Sequence, residues 1–154
     1  MIAVLQRVKK GSVSVNEQTV GSCGAGLCIL LGVGREDCEA DAEALAEKIV
    51  NLRIFTDEND KMNLSLKDID GEMLVISNFT LLAAYKKGKR PDYMGAASPA
   101  EAERLYEYFL TLCRDRVRHV GCGQFGAHMD ILLQNDGPVT IVMDSKVLLG
   151  KKSQ

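Results

Sequence analysis

IAVLQRVKKGSVSVNEQTV, residues 2–20, is the stretch whose reading decides the fold. Residues 2–8 form an apolar, β-branched run and residues 12–20 alternate apolar with polar, as strands do. Lys9-Lys10-Gly11 between them reads as a polar turn, so the chain opens as two strands. Working outward, residues 27–33 (LCILLGV), bracketed by glycines, read as a buried strand. From residue 39 the period changes, and Ala42, Leu45, Ala46, Ile49 and Leu52 fall at helical spacing with charges opposite. Met73 to Phe79 (MLVISNF) returns to a strand pattern. A second helix is predicted from Ser98, where Ser98-Pro99-Ala100-Glu101 has the form of a capping box with proline at the first helical position. Its apolar stripe is Ala102, Leu105, Tyr106, Phe109 and Leu112. Met129 to Gln134 and Val139 to Met143 read as two further strands flanking Asn135-Asp136-Gly137-Pro138. The expected class is α+β, a mostly antiparallel sheet or barrel with two main helices packed on it. The expected layout is one domain over residues 1–145 and a short tail over 146–154, with the chain loosely held from Ser145 onward.

Composition narrows the function classes. The chain has 154 residues, 46% hydrophobic and 26% charged, which excludes disordered and fibrous proteins. The opening carries its basic residues after a short apolar run, unlike a signal peptide. No apolar stretch approaches the roughly 20 residues that a membrane helix needs. A cytoplasmic location without membrane contact is the expectation. The five cysteines are an odd set without CxxC pairing, and there are only two histidines, so neither a disulfide framework nor a metal site is expected. Cys28 and Cys113 read as small core residues. The net charge of −2 gives no global pull on nucleic acid, so an RNA partner would need local basic patches.

Three segments could carry chemistry. Ser77-Asn78-Phe79-Thr80-Leu81 ends an apolar strand, where a hydroxyl either serves a reaction or merely satisfies backbone groups. Asn135-Asp136-Gly137-Pro138-Val139-Thr140 reads as a hairpin turn, or as a cis Gly-Pro site that aims two neighbouring carbonyls the same way to grip an ammonium group. Lys86-Lys87-Gly88-Lys89-Arg90, beside Tyr85, is the densest positive cluster, either solvated surface or a phosphate-binding loop. Lys9, Lys10, Arg114, Arg116 and Arg118 are candidates to extend it. GxSxG, P-loop, Rossmann and HExxH patterns are absent. Nothing in the sequence ties His119 or His128 to Ser77, Thr80 or Thr140. A hydrolase built from these residues lacks an evident base, which favours a reaction in which the substrate supplies reactive groups.

Seven ordered segments then point one way: IAVLQRV, GAGLCILLGV, RIF with KMNLS, SNFTL, RPDY with GAASP, FGAHM and NDGPVT. Over positions 1 to about 144 the chain resembles the D-aminoacyl-tRNA deacylase family, whose signatures are SQxTL and NxGPxT. The second is matched by Asn135, Gly137, Pro138 and Thr140. The first is matched at Ser77, Thr80 and Leu81, with Asn78 where glutamine is usual. The resemblance implies a homodimer without cofactor that hydrolyses the ester of D-aminoacyl-tRNA and of mischarged glycyl-tRNA. It implies a pocket for the charged 3′ adenosine near each subunit interface. Gly137-Pro138 would be cis and would project into the partner's pocket, excluding L-amino acids. Ser77, Phe79 and Thr80 would form the catalytic segment, with the amides of Phe79 and Thr80 facing the oxyanion. The terminal ribose 2′-OH would activate water, in preference to a nucleophilic Thr80 or Thr140. Asn78, Phe125, Ala127, Met129 and Thr140 would complete the substrate pocket, with Gly126 among them. Arg7 would brace the Gly-Pro peptide, and Lys86, Lys87, Lys89 and Arg90 would meet tRNA. Two rival readings are a non-catalytic RNA-binding β domain and a Thr- or Ser-dependent esterase of small substrates.

Overall fold

The structure is a computed structural model that describes residues 1–151. Its organising element is β1 (Ile2–Val15), one strand and not two. Lys9-Lys10-Gly11 makes no turn because β8 (Asp130–Asp144) pairs antiparallel with β1 from Ile2↔Asp144 to Ser14↔Asp130. Long-range pairing overrides the local turn signal. The register shifts between Gln6 and Val8 and again between Val8 and Lys10, which absorbs Asp136, Gly137 and Pro138 inside β8. The two strands expected around Asn135 to Pro138 are therefore the two ends of one interrupted strand. The chain reverses instead at Asn16 and Glu17, whose φ angles of 49° and 65° are left-handed, leading into β2 (Gln18–Cys23). Asn accepts that conformation readily, so the tight turn lies inside a stretch that reads as alternating strand.

One edge of β1 is shared. Its first half pairs antiparallel with β3 (Gly26–Gly32) and its second half with β2. β3 then pairs parallel with β6 (Glu72–Ser77), and β6 parallel with β7 (Val120–Cys122). Parallel neighbours need crossovers. α1 (Glu39–Asn51), together with the small hairpin β4 (Phe55–Thr56) and β5 (Met62–Leu64), makes the first, and α2 (Pro99–Arg114) the second. The sheet is thus antiparallel around β1 and parallel beyond β3. It nearly closes into a barrel where β7 meets β2. A Cβ on Gly121 would lie 2.3 Å from the Ser22 carbonyl, and one on Gly21 would lie 2.2 Å from the Cys122 carbonyl. Only glycine allows that backbone approach. Gly121→Ala is expected to cost about 1–3 kcal/mol through overpacking. The cost would be read as a lower urea midpoint at unchanged slope.

The core lies between the sheet and two helices. α1 buries Ala42, Leu45, Ala46, Ile49 and Val50, with Leu52 capping its end. α2 buries Ala102, Leu105, Tyr106, Phe109, Leu110 and Cys113, while Leu112 is half-buried. The Ser98 side chain makes no capping bond, and Glu101, the other half of the expected box, pairs with Arg104 at 2.7 Å. Burial pushes the thiols of Cys28 and Cys113 up to about 12, so both behave as core residues at neutral pH. α3 (Ser145–Leu148) is docked rather than loose: buried Ser145 donates to Asp41 at 2.7 Å and accepts from the Met1 amine. Burial favours the neutral acid at Asp41, but hydrogen bonds from Ser145, Cys38 and Lys151 outweigh it and hold the carboxyl well below its usual range. Residues 152–154 of the expected tail lie outside the described residues. Among the described residues no helix is long and apolar enough to cross a membrane.

Candidate active site

β6 delivers the first candidate segment. Its apolar run ends where the Asn78 N–H donates to the Leu31 carbonyl at 2.8 Å. Asn78 then caps a single 3-10 turn, Phe79–Leu82, by accepting the Thr80 N–H at 3.2 Å on its side-chain oxygen. The same oxygen accepts the Thr80 hydroxyl. Phe79 is 58% exposed and meets Tyr93 edge to face, with ring centroids 5.1 Å apart. This turn forms one wall of a cavity of about 730 Å³. Phe125, Gly126, Ala127 and Met129 line it as well, and Ile76 and Tyr106 contribute apolar surface. Tyr106 is held by its hydroxyl, which donates to the Val75 carbonyl at 2.9 Å, and Phe125 rests on its ring at 5.9 Å. Ser77, Asn78, Phe79, Thr80, Phe125, Ala127 and Met129 are therefore gathered around one hollow.

The expected Thr80 oxyanion donor is already engaged, since its amide is bonded to Asn78. No nucleophile–base pair is assembled among the described residues that line the cavity or form the Asn135 to Thr140 segment. Thr80 donates its hydroxyl to the Asn78 amide oxygen and Thr140 to the Gln6 amide oxygen, and an amide oxygen is not a base. The His119 ring pairs with the Ser22 carbonyl at 2.9 Å, and His128 points to solvent at the cavity rim. No group of three or more His, Cys, Asp or Glu side chains among the described residues could hold a metal.

The second segment stands apart. Gly137–Pro138 is cis. Gly137, Pro138 and Thr140 are exposed, and none of them lines the cavity of their own chain. Arg7, buried beneath the segment, donates to the carbonyls of Asp136 at 3.1 Å and Ile54 at 2.7 Å. Gln6 gathers Asn135 and Thr140, while the Asn135 side chain accepts the Val139 N–H at 3.2 Å. The segment is rigidly held on the surface.

The basic loop is a third feature. Ala84 and Asp92 pair across its base at 2.7 and 2.8 Å, presenting Lys86, Lys87, Lys89 and Arg90 to solvent beside Tyr85, which is 83% exposed. Of the arginines at the end of α2 and beyond it, Arg116 and Arg118 do not extend it as free charges. Arg116 pairs with Glu47 at 3.4 Å and Arg118 with Glu72 at 3.0 Å, and Arg114 reaches the Cys122 sulfur at 3.7 Å.

The family described as D-Tyr-tRNA(Tyr) deacylase matches residues 4–144. The chain belongs to that family. A protein named D-aminoacyl-tRNA deacylase from Caldicellulosiruptor saccharolyticus is 58% identical over 146 residues, spanning 95% of this chain and 98% of the relative. A protein of the same name from Clostridioides difficile is 53% identical over 145 residues, spanning 94% and 97%. Among solved structures, the c-Myc DNA Unwinding Element Binding Protein superposes with a TM-score of 0.88 at 41% identity, covering 94% of this chain and 98% of the other. A probable eukaryotic D-amino acid tRNA deacylase superposes at 0.80 with 16% identity, covering 92% and 97%, a likeness of fold.

In this deacylase-family chain the cavity has walls that motif reading alone passes over. Tyr93, Ala96 and Ala97 line it, yet RPDY and GAASP carry no chemical signature beyond their place in the family pattern. Gly137 is the site position with least room. Its φ is +129°, and a Cβ there would lie 2.9 Å from Val139 Cγ2 and 3.3 Å from Arg7 Nη2. Gly137→Ala is expected to cost about 1–3 kcal/mol in backbone strain and contact. A denaturation midpoint equal to that of the wild type would show that the segment yields freely.

Proposed function

We propose that this chain hydrolyses the ester linking a D-amino acid, or glycine, to the 3′ end of tRNA, acting in the cytoplasm as a homodimer without a cofactor. The observation that carries the reading is the family match over nearly the whole chain, joined to a single cavity at the Ser77 to Thr80 turn. The cavity's volume of about 730 Å³ lies in the range of small-molecule sites, with mostly apolar walls suited to a nucleoside base. Ser77 and the Phe79 amide face the ester, and the Thr80 amide joins them once the Asn78 side chain turns aside. Asn78, Phe125, Ala127 and Met129 hold the terminal adenosine. Lys86, Lys87, Lys89 and Arg90 meet tRNA phosphates.

Chirality is read by a second copy. The carbonyls of its Gly137 and Pro138, with Thr140 beside them and Arg7 beneath, bind the substrate's ammonium group and leave no space for an L side chain. This selects by exclusion. A trans arrangement is supported by the place of Gly137 and Pro138 outside their own chain's cavity, and by β8. Among the described residues that strand pairs only with β1 and exposes Leu132 (75%) and Val142 (68%), an uncovered apolar edge suited to a second copy. The test is incubation with matched D-, L- and glycyl-tRNA, following ester loss. Rapid loss from D- and glycyl-tRNA with L-tRNA spared is the expected result. Binding without ester loss would make the protein an RNA-binding domain and overturn the reading.

A further inference from the structure

A second hollow lies behind one wall of the cavity. Of about 400 Å³, it is lined by Arg35, Tyr93, Met94, Ala96, Ser98 and Glu101, and it shares Tyr93, Ala96 and Ala97 with the cavity. Its shape is set by pairing between the end of β3 and that wall. Ala97 N donates to the Val33 carbonyl at 3.0 Å, and Arg35 N donates to the Gly95 carbonyl at 3.0 Å. Arg35 is anchored at its backbone while its side chain is exposed. Among the described residues no hydrogen bond or ion pair engages its guanidinium. The one carboxylate in the hollow, Glu101, is held by Arg104 at 2.7 Å, so it does not neutralise Arg35. A further hollow of about 500 Å³ runs from Arg35 and Met94 to Ala84, the base of the basic loop; its lining also holds Glu36, which pairs with Lys146, Asp37, which pairs with the Met1 amine, and Asp144. The Arg35 guanidinium thus belongs to both hollows, one sharing a wall with the cavity and the other reaching the base of the Lys86 to Arg90 loop. Met94, which lines both hollows, is 66% exposed, and Tyr85, next to Ala84 in the chain, is 83% exposed.

We propose that the Arg35 hollow is a phosphodiester subsite, which takes the single-stranded RNA backbone leading to the terminal nucleotide held in the cavity. The proposal rests on the aminoacyl-tRNA reading above and adds a site to it. A planar guanidinium with free N–H groups forks onto phosphate oxygens, and single-stranded RNA is gripped by such cations together with stacking surfaces. A free amino acid or mononucleoside ester would not reach it.

The test compares wild type, Arg35→Ala and Arg35→Lys on two substrates bearing the same D-amino acid, full-length tRNA and adenosine alone, across a salt series. For Arg35→Ala, kcat/KM on tRNA is expected to fall roughly tenfold, with turnover of the adenosine ester unchanged. The slope of log kcat/KM against log salt should flatten by roughly 0.7, as for one lost phosphate contact on a single strand. Arg35→Lys should keep the steeper slope. Equal losses on both substrates would make Arg35 a support of the cavity wall, and an unchanged rate on tRNA would remove it from the RNA path. Either overturns the subsite while leaving the enzyme reading intact. A wild type inert on both substrates would instead sink the enzyme reading itself.

Discussion

Arg7→Met should lower stability by about 3 kcal/mol and erode discrimination between D- and L-aminoacyl esters. Methionine keeps the apolar stem of the side chain but has no donors. Arg7 donates to the Ile54 carbonyl at 2.7 Å, to the Asp136 carbonyl at 3.1 Å and, more weakly, to Thr56 Oγ1 at 3.5 Å. An acceptor left without a partner in a buried site costs about 1–3 kcal/mol, and two carbonyls lose theirs at once. The ion pair with Asp136 adds less, because that carboxylate is 40% exposed and screened. The effect on selectivity follows from position: Gly137 lies against the guanidinium, so the oxygens proposed to read the ammonium group rest on this side chain. Arg7→Lys should fall between, since an ammonium supplies a point charge and cannot fork across acceptors contributed by β8 and the segment before β4. Urea unfolding measures the first effect, and paired rates on D- and L-aminoacyl-tRNA the second. Wild-type selectivity in a destabilised Arg7→Met protein would confine Arg7 to the fold.

What the sequence discloses divides along the range of the interactions involved. The faces of α1 and α2 are legible because a helix writes its buried side into a period of 3.6 residues. The Ser77 to Thr80 strand end and the basic loop are legible for the same reason, as both are set by neighbours in sequence. The unity of β1 is not. Lys9-Lys10-Gly11 has turn composition, and pairing with β8, more than a hundred residues away, keeps it extended, with β2 joining at Gly11. The parallel pairing of β3, β6 and β7 also escapes, since β7 is three residues long and has no periodicity to read. Asn78 differs again. Its departure from the family's glutamine is visible in the letters, but the consequence is conformational: the shorter side chain closes a turn on its own strand end and engages the amide and hydroxyl of Thr80. The two halves of the candidate site are separately legible, yet one chain alone does not join them.

Removal of the terminal ribose 2′-OH should slow ester loss from D-aminoacyl-tRNA by roughly 10²–10⁴-fold, the range for a lost general acid–base group. Thr80→Ala with Thr140→Ala should cost less than tenfold, about 1.4 kcal/mol in the barrier. The asymmetry comes from what each hydroxyl touches. The Thr80 and Thr140 hydroxyls both donate to side-chain amides, of Asn78 and Gln6, which draw no proton away at neutral pH. Neither histidine is hydrogen-bonded to them among the described residues. A hydroxyl without a base is a weak nucleophile, whereas the ribose hydroxyl sits next to the ester carbon in the substrate itself and needs no positioning by the protein. On the proposed reading, the protein's task is then to hold the ester, exclude the wrong hand and stabilise the oxyanion. Both substrates can be charged with the same D-amino acid and followed by single-turnover release, which separates chemistry from binding. Full activity on the 2′-deoxy substrate together with an inert double-alanine protein would reverse the assignment and make a threonine the nucleophile.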